Sequence, residues 1–206
     1  TVILIKYLNR GYYQFTMRVY IKEEVLLRKE DTIRKIKSGA IIIHPTDTIY
    51  GIGCNALDSK AVNKIRKMKN RETMPFSVIA PSKQWVYNNC IITKDAEKWI
   101  NKLPGRYTLI LKLKNKKAVA KTVNNAWDTL GVRIPKHWFA AFVEKAGVPF
   151  VTTSANIAGE DFMTSIDDLN PKIKSKVDFI VYVGIKKGRP SKIIDLTKEK
   201  LEIIKR

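Results

Sequence analysis

Apolar and polar residues follow one another along this chain in short blocks. The clearest is Ile41-Ile42-Ile43, which runs into His44-Pro45-Thr46-Asp47-Thr48-Ile49-Tyr50-Gly51-Ile52-Gly53. Three consecutive β-branched residues suit a strand covered on both faces, and Pro45, which lacks an N–H, ends its ladder. The hydroxyls, carboxylate, phenol and glycines beyond it have two readings. They are either a polar turn between two strands, where such residues are common, or a ligand loop whose glycines let backbone approach a bound molecule. Upstream, residues 31–38 have helical spacing and stop at Gly39. Downstream, residues 58–68 place Ala61, Ile65 and Met68 on one helical face with Asp58 or Ser59 as cap. That helix delivers Lys69-Asn70-Arg71 at its end.

The pattern then predicts a strand at 76–80, a helix at 94–102 and a strand at 107–113 entered through Pro104-Gly105. A lysine-rich stretch to Asp128 reads as mobile. Beyond it come a strand at 131–134, a helix at 138–146 closed by Gly147, and a strand at 148–152 opening into Thr153-Ser154-Ala155-Asn156. Strands at 179–183, 193–196 and 201–204 complete the set. Helices and strands are interleaved, so an α/β or α+β fold with helices over a mixed sheet is expected. Residues 1–16 read as an apolar and aromatic N-terminal extension, leaving one domain over 17–206. Neither Gly-x-x-x-x-Gly-Lys-Ser/Thr nor Gly-x-Gly-x-x-Gly occurs, which removes the main support for a P-loop or a Rossmann fold.

With 206 residues and 45% hydrophobic content, the chain can bury one substantial core. No run reaches the ~18 apolar residues that span a bilayer, and nothing at the start has the pattern of a cleavable signal. A cytoplasmic protein without a membrane partner is therefore expected. Cys54 and Cys90 do not make a disulfide framework, and His44 and His137 have no metal-ligand spacing, so no protein-held metal is expected. Thirty-nine Lys and Arg against nineteen Asp and Glu give a net charge of +20. That balance favours polyanions such as RNA, or anionic substrates such as nucleotides, and does not choose between them.

Three clusters can carry chemistry. Lys69 and Arg71, two apart after a helix, can hold a phosphate chain from two directions, Arg as a planar fork and Lys as a point charge. In a chain this basic the same spacing also arises by chance. Ser154 and Asn156 follow a strand end, where small polar groups line ligands or simply turn the chain. Arg133, flanked by Val132 and Ile134, needs an anionic partner if buried. That partner is a substrate carboxylate or a protein one, with Asp47, Asp128 and Asp195 as candidates. No serine-histidine-acid signature and no close carboxylate pair supports a hydrolase.

Together these pieces resemble the YrdC-domain family, which includes L-threonylcarbamoyladenylate synthases. The matching segments are Pro45 to Gly53, Lys69-Asn70-Arg71, Pro104 to Thr108, Gly131 to His137, Thr153 to Gly159 and Ser191-Lys192-Ile193-Ile194-Asp195, all in family order. The resemblance implies an α/β fold, a twisted mixed sheet covered by helices, in a single domain with a concave basic cleft. It implies that L-threonine, bicarbonate and ATP, with Mg²⁺, give threonylcarbamoyl-AMP and pyrophosphate. A separate machinery then transfers the threonylcarbamoyl group to tRNA. The family's Lys, Arg, Ser and Asn quartet falls on Lys69, Arg71, Ser154 and Asn156, which the resemblance assigns to the nucleotide and catalysis. Thr129 and Arg206 are expected to reach ATP, and Thr46, Arg133 and Ser191 to bind L-threonine. The chain departs from the family at Arg106 (usually proline), Ile79 (often histidine), Ala158 (commonly serine) and Lys192 (usually threonine). The Ile79 and Lys192 changes bear on the threonine pocket. A single-domain form, without the second domain of the long members, is expected, and the family pattern places a glycine after Arg206. The alternative is a non-catalytic RNA-binding module of the same fold, contacting tRNA or double-stranded RNA. A weaker one is a carbamoyl-phosphate-using relative, since the domain also occurs in hydrogenase-maturation proteins.

Overall fold

The isoleucine block does form a strand, and its side chains explain the layering. Ile41 and Ile43 belong to one core cluster and Ile42 to another, so the strand is covered on both faces, as expected. In the computed structural model, residues 17–125, 128–198 and 202–204 are described; the proposed extension over 1–16 and Arg206 lie outside them. In chain order the elements are β1 (Val19–Tyr20), α1 (Lys22–Leu27), α2 (Lys29–Lys37), β2 (Ile42–His44), β3 (Gly51–Gly53), α3 (Ser59–Met68) and β4 (Ser77–Ile79). There follow α4 (Lys83–Asn89), α5 (Lys94–Asn101), β5 (Tyr107–Lys112), β6 (Thr129–Arg133), α6 (Ala140–Ala146) and β7 (Phe150–Ser154). The chain closes with α7 (Pro171–Lys174), β8 (Phe179–Val181), β9 (Lys192–Asp195) and β10 (Glu202–Ile204).

The described strands form one mixed sheet in the order β1-β8-β2-β3-β7-β4-β6-β5-β9-β10. Parallel pairs such as β4 with β6 occur beside antiparallel ones such as β4 with β7. Strand side chains alternate between faces, and the alternation sorts the core. Ile43, Ile52, Val78, Val132 and Val151 face the larger cluster, with Val62 and Ile65 of α3, Val86 of α4 and Ile100 of α5. Ile42, Ile79 and Phe150 face the other side, under Ile33 and Ile36 of α2 and Phe142 and Val143 of α6. On this second face the helices cover only part of the sheet. In the central strands the positions alternating with the large core residues are small or polar, Gly51, Ser77, Thr108, Gly131, Thr152 and Ser154.

The caps follow the expected chemistry. Asp58 accepts from the Lys60 and Ala61 amides at the start of α3, and Gly147 ends α6 at φ 68°, a left-handed conformation that glycine adopts without strain. Differences from expectation are local. Helices α1 and α4 carry too few apolar residues at helical spacing to stand out. Strand β7 runs to Ser154 because Gly51 and Ile52 of β3 pair with its last two residues. The lysine-rich stretch is tethered, with Ala118, Val119 and Val123 buried and a short 3₁₀ turn at Lys121–Val123.

Candidate active site

The small and polar residues on the partly covered face line a cavity of about 240 Å³. Its walls include Thr46 and Thr48 from the β2–β3 turn, Arg71, Ser77, Thr108, Arg133, Thr152, Thr153, Ser154, Phe162 and Ser191. The segment Thr46-Asp47-Thr48 turns the chain between antiparallel β2 and β3, and Thr46 and Thr48 also line the cavity. The glycines are also required by the packing of the protein itself. A Cβ on Gly53 would lie 1.9 Å from the Val151 carbonyl oxygen, and one on Gly51 2.8 Å from His44 Nε2, so they make room for neighbouring protein groups. Gly51 does also line the cavity.

At one end stands a single polar network. Lys69 caps the C-terminus of α3 and is almost fully buried, at 1% exposure. Its ammonium donates to the Ser154 carbonyl at 2.6 Å, the Asn156 carbonyl at 2.6 Å and Asn156 Oδ1 at 3.1 Å. Burial, with the Arg71 guanidinium nearby, pushes its pKa down to about 7. Three acceptors nevertheless match the three donors of an ammonium, so this nest of oxygens holds the charged form. Ser154 Oγ donates to Asn156 Oδ1 at 2.6 Å, and Asn156 Nδ2 to the Glu160 carbonyl at 2.6 Å. Arg71 reaches the Pro75 carbonyl at 2.7 Å and the Thr153 hydroxyl at 3.4 Å. Lys69, Ser154 and Asn156 are thus joined by hydrogen bonds, with Arg71 beside them, but Lys69 lies behind the cavity wall rather than extending into it, correcting the picture of a two-sided clamp. Its charge is delivered through Ser154 and Asn156.

Arg66 was missed by sequence reasoning and builds this end. Its guanidinium, on a residue 6% exposed, donates to the carbonyls of Arg71, Glu72 and Met74, each at 3.0 Å, and to those of Thr122 and Val123. A planar fork with five donors suits such a task. It fixes the loop that carries Arg71.

At the other end Arg133 finds a protein carboxylate: its Nη2 donates to Asp47 Oδ1 at 2.7 Å, and both side chains are under 10% exposed. Of the candidates left open, Asp47 is the partner. Asp47 Oδ2 also accepts the Lys136 backbone N–H at 2.9 Å, so both its oxygens are engaged. Thr46 Oγ1 donates to the Ile49 carbonyl at 2.7 Å and lies 2.9 Å from Thr48 Oγ1. Ser191 Oγ lies 2.7 Å from Thr108 Oγ1.

Not every expected residue joins. Thr129 begins β6, away from the cavity walls, and its carbonyl accepts from Asn124. Ile79 is fully buried in the core beneath α6, and Lys192 is exposed, so neither departure from the family pattern alters the cavity lining. Ser77 and Thr108 were missed. The available signal was a lone hydroxyl in an otherwise apolar strand, at Ser77 two positions from the core residue Ile79 on the same face. For a divalent ion the donor set is poor. Among the described residues no three His, Cys, Asp or Glu side chains are grouped to hold a metal, and Asp47 is committed to Arg133 and Lys136. These residues do not fit a protein-held Mg²⁺.

The family model Sua5/YciO/YrdC, described as telomere recombination, matches residues 34–206. The chain belongs to this family. It is 37% identical over 171 residues to a putative threonylcarbamoyl-AMP synthase of Methanocaldococcus jannaschii, covering 82% of this chain and 80% of that protein. It is 33% identical over 167 residues to the threonylcarbamoyl-AMP synthase of Pyrococcus abyssi, covering 79% of this chain and 48% of that one. A Pyrococcus abyssi Sua5 solved in complex with L-threonine superposes with a TM-score of 0.80 at 27% identity, over 91% of this chain and 56% of that one. The chain thus spans about half the length of the Pyrococcus protein. The Sua5/YciO/YrdC fold accounts for the mixed sheet, with helices on both faces in a single domain. The family also contains YciO of Escherichia coli, an uncharacterized protein 27% identical to this chain over 166 residues, so membership alone does not fix the reaction.

Proposed function

We propose that this protein is an L-threonylcarbamoyladenylate synthase, making threonylcarbamoyl-AMP and pyrophosphate from L-threonine, bicarbonate and ATP. The observation that carries the reading is the joining of Lys69, Ser154 and Asn156 in one hydrogen-bonded network, beside Arg71 in a cavity whose other end carries Thr46, Arg133 and Ser191. Relatives named as synthases, and the similar fold of a Sua5 crystallised with L-threonine, support it.

In this reading the nucleotide phosphates lie toward Arg71 and Ser154. The amino acid lies toward Thr46, Arg133 and Ser191, with Asp47 holding the guanidinium in position. The neutral amine of threonine attacks the carbonyl carbon of bicarbonate, and loss of water gives a carbamate. A carbamate oxygen then attacks the α-phosphorus, and pyrophosphate leaves with the electrons of the broken P–O bond. No enzyme nucleophile is needed. Catalysis comes from positioning two substrates in one cavity and from cations that meet the charge developing on the leaving group. Thr129, which does not line the cavity, and Arg206 would in this proposal meet only the part of the nucleotide that extends beyond it, and the product serves threonylcarbamoyl transfer to tRNA by separate machinery. A non-catalytic RNA-binding role is favoured only by the net charge of +20; it requires RNA affinity that falls steeply with salt.

The test is incubation with ATP, Mg²⁺, bicarbonate and labelled L-threonine, with mass detection of threonylcarbamoyl-AMP and Ser154→Ala as control. Product from the parent protein and little from the variant is expected. No product from folded protein that binds ATP would overturn the reading.

A further inference from the structure

Between β8 and β9 the chain crosses beside the cavity as an extended strap, residues 182–191. Its burial alternates. Val183, Ile185, Lys187 and Arg189 are exposed, while Tyr182, Gly184, Lys186, Gly188 and Pro190 are half-buried. The inward set is anchored at most of its positions. Tyr182 stacks on Tyr50 at 5.8 Å, and the Tyr50 hydroxyl donates to the Gly184 carbonyl at 2.6 Å while accepting the Val183 N–H at 2.9 Å. Lys186 N–H donates to the Thr164 carbonyl at 2.9 Å. Gly188 packs so closely on Thr48 that a Cβ there would be 2.1 Å from its carbonyl oxygen, and Pro190 lines the cavity. Period-two alternation therefore turns the Lys186 side chain inward, between anchors at Tyr50 and Thr48.

This lysine differs from the many solvated ones. It feels the Asp47 carboxylate and the Arg106 guanidinium, yet its ammonium makes no ion pair or hydrogen bond among the described residues. Burial holds its pKa below the usual lysine value. Nearby, Asp47 already balances Arg133. A half-buried cation without a protein partner, next to a pair that is neutral as a whole, leaves one positive charge for an anion that the protein does not supply.

We infer that Lys186 is a substrate-binding residue that takes a carboxylate at the Thr46 and Arg133 end of the cavity. The inference rests on the synthase reading, which places two such anions there: the carboxylate of the amino acid and bicarbonate, later the carbamate. An amino acid whose amine is neutral carries a net negative charge, which the neutral Asp47–Arg133 pair does not offset and Lys186 does.

The test compares the parent protein with Lys186→Met, Lys186→Arg and Lys187→Met, the last removing an exposed neighbouring charge. L-threonine binding is measured by calorimetry without ATP. Pyrophosphate release is then followed against threonine, bicarbonate and ATP in turn. Lys186→Met should weaken threonine binding or raise the KM for threonine or bicarbonate by about tenfold or more, as expected for losing a charged hydrogen bond. Lys186→Arg should recover part of the loss, and the KM for ATP and all Lys187→Met values should stay unchanged. A shift confined to threonine identifies the amino-acid carboxylate; a shift confined to bicarbonate identifies the carbonate-derived one. Unchanged constants for both in Lys186→Met, or equal losses in Lys187→Met, overturn the inference. An inactive parent protein that still binds threonine overturns the synthase reading, and the calorimetry of Lys186→Met then decides the role of Lys186 alone. A parent protein with neither activity nor threonine binding overturns both.

Discussion

The two ends of the cavity handle positive charge in opposite ways. Lys69 is buried among three oxygens that are all uncharged, so its end keeps a net positive charge. Arg133 is matched by Asp47 at 2.7 Å, so the buried pair at its end is neutral and only the half-buried Lys186 adds charge there. The first arrangement suits a polyanionic phosphate chain, whose charge neutralises a cation the protein leaves uncompensated. The second suits an amino acid, which carries charges of both signs or a small net charge. Local burial is similar at both ends, so the presence or absence of one carboxylate makes the difference.

The strongest way to break this contrast is to remove that carboxylate. Asp47→Ala leaves the Arg133 guanidinium buried without its counter-charge, and loss of one partner from a buried pair costs about 3–5 kcal/mol. Urea denaturation should show that loss. Asp47→Ala/Arg133→Met should recover much of it, and recovery in the double variant separates the missing charge from general damage to the turn. At the opposite end Arg71→Ala should weaken ATP binding by about 10- to 100-fold, the range for hydrogen bonds to charged groups, and leave threonine affinity nearly unchanged. Equal losses of both ligands would remove the division of the cavity into two ends.

A third prediction concerns the floor between the ends. His44 lies behind Gly51, stacked on Phe139 at 5.0 Å, and burial lowers its pKa from 6.5 to about 3. The folded protein thus holds a neutral imidazole where the unfolded chain binds a proton below about pH 6.5. More protons on the unfolded state mean that stability is complete above that pH and is lost as pH falls from 6.5 toward 3. His137, lowered to about 4, acts in the same direction. His44→Phe should make the fall in urea midpoint between pH 6.5 and pH 4.5 shallower. An unchanged slope would show that His44 does not contribute to acid sensitivity.

The contrast between the ends was partly legible in the amino-acid sequence. Ile41-Ile42-Ile43 announced a strand buried on both sides because three β-branched residues have few other uses, and Asp58 announced the start of α3. Asp47 stood among three candidate carboxylates for Arg133 on sequence grounds, and only the folded chain, which lays the β2–β3 turn against the end of β6 and the Lys136 amide, brings the two together. Strand β3 was hidden because Gly51-Ile52-Gly53 has little strand propensity; it forms because β2 and β7 pair with it on either side, with glycines where a Cβ would clash. Arg66 was hidden for another reason. On a helix surface in a chain this basic it reads as one more solvated cation, and its five carbonyl partners come from two loops distant in sequence. The strap over 182–191 carries its pattern in a period of two, but Lys186 and Lys187 are adjacent and chemically identical, so only the structure tells which one faces inward.

The smallest expected effect gives the finest test of the neutral end. Ser191, 3% exposed, shares a hydrogen bond of 2.7 Å with Thr108, and both hydroxyls line the cavity. Ser191→Ala removes one of a neutral pair, worth about 0.5–1.5 kcal/mol, or roughly a two- to tenfold change in an equilibrium constant. If the hydroxyl contacts the amino acid, that change should appear in the KM for threonine and not in the KM for ATP. If it only ties β9 to β5, the change should appear in the urea midpoint and leave both KM values alone. Thr108→Val/Ser191→Ala discriminates further, because removing both partners leaves no unsatisfied hydroxyl behind. Recovered stability with a threonine KM still raised would place the Ser191 hydroxyl on the substrate, whereas full recovery of both would make the pair structural and confine recognition at the neutral end to Thr46, Arg133 and Lys186.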